Sequence, residues 1–226
     1  MKKTNHHLKR LILFVFLWTS CTLAHAQESD LGNWLIYFGN KKLNEKWNIH
    51  NEVQYRNYNW IGDMEQLLLR TGVGYNLTEN NNNLLLGYGY ILSQNYIGDS
   101  DMKEDVNEHR IFQQFITRDK IGILHLQHRY RFEQRFIESE FKMRLRYFLS
   151  INVPLNKKVI EDKTYYLSAY NEIFINTEGE LFDRDRLFGG LGYKLSDDIR
   201  FELGYMVQYF QEGSRDQLNI ISFVNF

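Results

Sequence analysis

The sequence predicts an all-β chain, an antiparallel up-and-down transmembrane β-barrel of about 10–12 strands, on three observations. The first is a period of two. In HLQHRYRFEQRF, Leu126, His128, Tyr130, Phe132 and Phe136 share one face, and His125, Arg129, Arg131, Glu133 and Arg135 share the other. In FKMRLRYFLSINV, Phe141, Met143, Leu145, Tyr147 and Leu149 oppose Lys142, Arg144, Arg146 and Ser150, with Phe148 out of pattern. Successive side chains of a strand point to opposite faces, so this is a long hairpin, apolar on one side and charged on the other. The second is a single proline, Pro154, where an average chain of this length has roughly ten; proline is excluded from central strands. The third is strand length. Segments of about 12 residues at ~3.3 Å each, tilted ~40°, climb roughly 30 Å, enough for the ~25 Å apolar band of an outer membrane.

Taken in order, residues 1–26 read as a cleaved signal peptide. Lys2, Lys3, Lys9 and Arg10 precede a short apolar run from Leu11 to Trp18, and Ala24-His25-Ala26 is a small-x-small cleavage site. Residues 27–226 form one barrel domain without a linker. Past Trp18 the sequence has no apolar run long enough for a membrane-spanning helix, so insertion requires a barrel. Four of the 27 basic side chains and none of the 28 acidic ones fall in the leader. The remainder is net acidic, which argues against nucleic acid as a partner. The only cysteine, Cys21, lies in the leader.

The first strand is Leu31–Gly39, rich in Trp34, Ile36, Tyr37 and Phe38. In 47–58, Trp47, Ile49, Val53 and Tyr55 oppose Asn48, His50, Glu52, Gln54 and Arg56. In 65–77, Leu67, Leu69, Val73 and Tyr75 oppose Gln66, Arg70, Gly72 and Gly74. In 84–96, Leu84, Leu86, Tyr88 and Tyr90 oppose Gly87 and Gly89, glycines that relieve crowding against large inward side chains. Ile97–Asp105 is an acidic loop without the spacing of a calcium-binding loop. Val106–Arg118 is the least regular strand, with Phe112 among Glu108, Arg110 and Gln114, and a turn follows at Asp119–Gly122. After the opening hairpin, 154–163 is a polar connection. Tyr166, Ser168, Tyr170, Glu172 and Phe174 then oppose Leu167, Ala169, Ile173 and Ile175. Arg184, Arg186, Gly190 and Gly192 oppose Leu187, Leu191 and Tyr193; Arg200, Glu202, Gly204 and Gln208 oppose Phe201, Leu203, Tyr205, Val207 and Tyr209. Eleven segments can be counted. Barrels of this kind prefer even numbers, so ten or twelve strands are expected, with Leu31–Gly39 the uncertain one. Trp47, Tyr58, Tyr75, Tyr96, Phe136, Phe141, Tyr193 and Tyr209 near strand ends are expected as interfacial girdles.

RYRFEQRF (129–136), Arg144-Leu145-Arg146-Tyr147 before Pro154-Leu155, Asn171-Glu172-Ile173-Phe174, Arg184, Arg186, Gly190, Gly192-Tyr193 and Gly204-Tyr205 resemble the family called domain of unknown function 2490. The resemblance covers nearly all of the chain after the leader. It implies a Bacteroidetes-type exported outer-membrane barrel of a Gram-negative cell and brings no established activity. The terminal Phe226, with Leu218, Ile220 and Val224 at alternate positions before it, resembles the signal read by the barrel-assembly machinery; Ser222 departs from it.

Oriented this way, outer-membrane lipid meets the apolar face, and the lumen holds a charge ladder of Arg129, Arg131, Glu133, Arg135, Arg144, Arg146, Glu172, Arg184, Arg186, Arg200 and Glu202. Two expectations follow: a structural plug of mutually satisfied side chains, or a narrow, porin-like path favouring small anions. A lipid-modifying hydrolase would have to draw on His109, His125, His128 and Ser168, without a G-x-S-x-G motif. No catalytic residues, metal site or cofactor are expected. A soluble periplasmic carrier would reverse the orientation, with Leu and Phe inside.

Overall fold

The computed structural model describes residues 31–78, 81–98 and 100–226; the signal peptide and Asp99 lie outside them. Among the described residues eleven strands close into one barrel. They are β1 (Gly32–Lys42), β2 (Trp47–Asn57), β3 (Met64–Asn76), β4 (Asn82–Tyr96), β5 (Lys103–Ile121), β6 (Leu124–Ile137), β7 (Glu140–Pro154), β8 (Thr164–Asn176), β9 (Phe182–Lys194), β10 (Ile199–Tyr209) and β11 (Ser214–Asn225). Each pairs antiparallel with its neighbour in sequence, from Trp47 opposite Tyr75 to Ile199 opposite Val224.

Closure departs from the expected even, wholly antiparallel barrel. The segment expected at Leu31–Gly39 is a full strand, Gly32–Lys42, and β1 runs parallel to β11, Gly32 opposite Gln217 through Asn40 opposite Asn225. An odd number of up-and-down strands leaves the first and last pointing the same way, so one parallel seam is the geometric consequence. The seam satisfies the backbone groups of both edges, as a lipid-facing wall requires. One rim therefore carries Phe226, the turns 43–46, 122–123, 155–163 and 195–198 and the ends of β3 and β4 at Asn76 and Asn82; the opposite rim carries Leu31, the loops 58–63, 138–139, 177–181 and 210–213 and the ends of β4 and β5 at Tyr96 and Lys103.

β5 is longer at both ends than the sequence suggests. Its first residues pair with β4 up to Tyr96 opposite Lys103, which shortens the acidic loop, and its last residues hold the tight turn at Gly122, where φ is +60°. Cross-strand ladders extend a strand wherever a partner offers hydrogen bonds, and a single-strand reading cannot see the partner.

The period of two decides the faces as predicted. Leu86, Leu187, Leu203 and Tyr130 stand outward and about half exposed, whereas Glu133 and Phe112 are fully buried inside. A soluble carrier needs the reverse. Aromatic pairs mark both rims: Trp47 with Tyr75 and Tyr165 with Tyr193 at one, Phe136 with Phe141 and Tyr58 with Tyr96 at the other. An apolar groove of about 850 Å³ crosses the outer wall over β3–β8, lined by Val73, Leu84, Leu86, Phe115, Tyr130 and Leu145.

The inward glycines make room for rings. A Cβ on Gly87 would stand 2.2 Å from Phe112 Cζ, and one on Gly192 would stand 2.1 Å from Tyr166 Cζ. Phe112 is thus an inward residue that its neighbour's missing side chain admits.

Candidate functional site

The lumen is the candidate site, and its chemistry comes from residues at alternate positions on facing walls. Glu133 on β6 is the hub. It accepts hydrogen bonds from Arg144 (2.7 and 3.1 Å) and Arg146 (2.6 Å), both on the neighbouring β7, and Arg131 stands 3.6 Å away. Glu172 on β8 accepts from Arg146 (2.7 and 3.0 Å) and Arg129 (2.6 Å), with Arg186 at 3.8 Å. Glu108 accepts from Arg110 and from Arg135 at 2.6 and 3.0 Å. Glu52 pairs with Arg70 at 2.5 Å. Hydrogen-bonded, multiply shared pairs of this kind are what a buried charge requires, since one left unpaired costs several kcal/mol.

Three inward phenylalanines of the charged wall lie against guanidinium. Arg129 stacks over Phe148 at 4.4 Å and Arg131 over Phe112 at 4.6 Å. Phe174 collects Arg146 (4.4 Å), Arg186 (4.5 Å), Arg144 (5.1 Å) and Arg184 (5.9 Å). The ring face attracts the cation most where water is excluded. Phe148, which broke the sequence pattern, faces inward for this reason.

All the residues of the charge ladder point into the barrel, but they are not one ladder. Arg129, Arg131, Glu133, Arg144, Arg146, Glu172 and Arg186 form the connected network, and Arg135 pairs separately with Glu108. Arg184 joins through Asp183, which also binds Arg144 at 2.7 Å; the sequence reading missed Asp183. Glu202 takes hydrogen bonds from Tyr166 (2.9 Å) and Ser168 (3.0 Å). Arg200 stacks over Phe223 at 3.8 Å and has no carboxylate within ion-pair distance among the described residues.

The sequence reading also missed an apolar sector. Trp34, Ile36, Phe188, Met206 and Ile221 form a buried cluster on β1, β9, β10 and β11, with Phe38, Tyr170 and Phe223 packed against it. These residues share the inward face with the arginines, and only the closed register brings them together.

The hydrolase candidates do not meet. Ser168 donates to Glu202 in the lumen, His109 bonds Tyr88 Oη at 2.6 Å, and His128 bonds Tyr147 Oη at 2.8 Å on the outer wall. His125 Nε2 has no hydrogen-bond partner among the described residues. Among the described residues no three His, Cys, Asp or Glu side chains cluster to hold a metal ion. Phe226 stands at the rim that carries the connection 155–163, 62% exposed.

Outside the barrel wall a clasp fixes loop 58–63. Lys103 pairs with Asp63, donates to the Met64 carbonyl at 2.9 Å and lies over the rings of Tyr58 and Tyr96; Tyr96 donates to Asp63 at 2.7 Å. Partial burial raises the Asp63 carboxyl, and the hydrogen bonds from Lys103 and Tyr96 outweigh it, so the group is held below the usual carboxylate range.

A closed wall with its charges inside and its apolar side chains outside defines the class: a β-barrel of membrane-spanning architecture with an arginine-rich lumen crossed by buried ion pairs. Residues 31–219 match the model of the family described as protein of unknown function (DUF2490), and the chain belongs to that family. It is 33% identical over 165 residues to an uncharacterized protein of Methylorubrum extorquens, covering 70% of this chain and 69% of the relative. No solved structure matches.

Proposed function

We propose that this protein is an outer-membrane β-barrel of a Gram-negative cell, exported through a cleaved signal peptide, whose lumen is plugged by its own arginine–glutamate network. The carrying observation is Glu133, 0% exposed and bound by two arginines in the middle of the barrel. Exposed leucines and the aromatic rims support a lipid surround, and Phe226 at the end of β11 supports delivery by the barrel-assembly machinery.

A second reading, a narrow anion-biased path, rests on one feature: the lumen holds more guanidinium than carboxylate, and Arg56 and Arg200 have no acidic partner among the described residues. Planar-bilayer recording of the purified protein tests both. A plugged barrel gives no steady current, and small anion-selective steps establish the second reading. Large, unselective ohmic steps contradict both.

A further inference from the structure

The second reading can be taken to a site. Arg56, on β2, is 5% exposed. Its guanidinium donates only to neutral amides, Gln54 Oε1 at 2.5 and 3.1 Å and Gln66 Oε1 at 2.7 Å. Arg186 donates to another neutral amide, Gln208, at 2.9 Å, and its nearest carboxylate, Glu172, stands 3.8 Å away and is shared with Arg129 and Arg146. Both guanidiniums lie over the ring of Trp34, at 3.7 and 4.8 Å.

Trp34 is 2% exposed and its indole Nε1 has no hydrogen-bond partner among the described residues. One strand away, the fully buried amide of Gln217 has no partner at either end among the described residues, so it offers a donor whichever way it is turned. Arg56, which no carboxylate reaches among the described residues, thus gathers with Arg186, whose only carboxylate is shared, an indole N–H and an amide N–H. Buried cations without counter-charge are costly, and planar guanidinium forks match the two oxygens of a carboxylate or phosphate. Toward the rim opposite Phe226, Arg184 and Arg215 keep 27% of their side chains exposed.

We propose that Arg56, Arg186 and the Trp34 indole form a lumenal binding site for one small oxyanion, a carboxylate or phosphate, which completes the plug as its missing counter-charge. The proposal builds on the cation excess of the second reading, but it needs binding and not conduction.

The test uses the protein purified from membranes with Trp47→Phe and Trp60→Phe, leaving Trp34 as the only indole of the exported chain. Tryptophan emission is titrated with sodium acetate, and separately with sodium phosphate, sodium chloride keeping ionic strength constant. The expected result is a saturable change in at least one titration, weakened about tenfold or more by Arg56→Gln. Lys142→Gln, an exposed position of the same charge, leaves it unchanged. If Arg56→Gln does not fold, Arg56→Lys keeps the charge without the fork and weakens binding similarly. No saturable change with either salt, or an unaltered one in a folded Arg56 variant, overturns the site. Saturable binding in a barrel that carries no current removes the pore reading and leaves the site standing; anion-selective current without binding does the opposite.

Discussion

Two sectors of the same lumen solve the problem of filling a barrel in different ways. The β5–β8 wall is filled by charge: Glu133, Glu172 and Glu108 each serve two or more arginines, with Phe112, Phe148 and Phe174 as stacking floors. The sector of β1 and β9–β11 is filled by Trp34, Ile36, Phe188, Met206 and Ile221. The difference teaches where specificity resides. An apolar cluster tolerates imperfect partners, because dispersion is non-directional. A buried charge network fixes register, because every guanidinium lost or misplaced leaves a carboxylate without a partner.

The comparison breaks most sharply at Glu133→Gln. That change keeps the shape and leaves Arg144 and Arg146 short of a counter-charge, so it should cost about 3–5 kcal/mol. Urea titration read by the heat-modifiable gel shift of the folded barrel checks it, with Met206→Leu in the apolar sector expected to cost below about 1.5 kcal/mol. Equal costs would erase the distinction between the sectors.

A smaller effect tests how rings enter the charged wall. Gly87→Ala drives a methyl group into Phe112 and should cost about 1–3 kcal/mol. The double variant with Phe112→Leu should recover part of the loss in the same titration; no recovery would mean that the glycine acts through its backbone alone.

The smallest effect lies outside the wall. Because the folded Asp63 carboxyl titrates below its unfolded value, the clasp's contribution is present above the unfolded pKa and is lost as pH falls through the folded one. Asp63→Asn should cost below about 1 kcal/mol, as a partly exposed pair does. Limited proteolysis of loop 58–63 should be faster in the variant at neutral pH, and the difference should vanish in acid.

How much of this was legible beforehand follows from the same contrast. Arg129 through Arg135 and Arg144 through Arg146 announce their face because charge alternating with Leu, Tyr and Phe admits one strand reading. Gly87 and Gly192 were read for what they do, with their partner rings revealed only by cross-strand register. The apolar sector was invisible, since Trp34, Ile36 and Met206 inside look like Leu35, Tyr37 and Tyr205 outside. Local alternation says nothing of which hydrophobic faces lipid. The eleventh strand was readable as a segment, but its parallel seam is a property of closure. The pairing of Arg184 through Asp183 depends on the irregular register between Phe174 and Ile175, which no single-strand period encodes.

The orientation of the wall is the central claim, and spin-label accessibility in bilayers tests it most directly. Cys21 is the only cysteine of the sequence, so in a Cys21→Ser background single cysteines can be placed at Leu86, Leu187 and Leu203, outward, and at Ser150 and Ser168, inward and buried. Labels at the three leucines should collide freely with lipid-dissolved oxygen, and labels at the two serines should not. High oxygen collision at Ser150 and Ser168 with protected leucines would contradict the account.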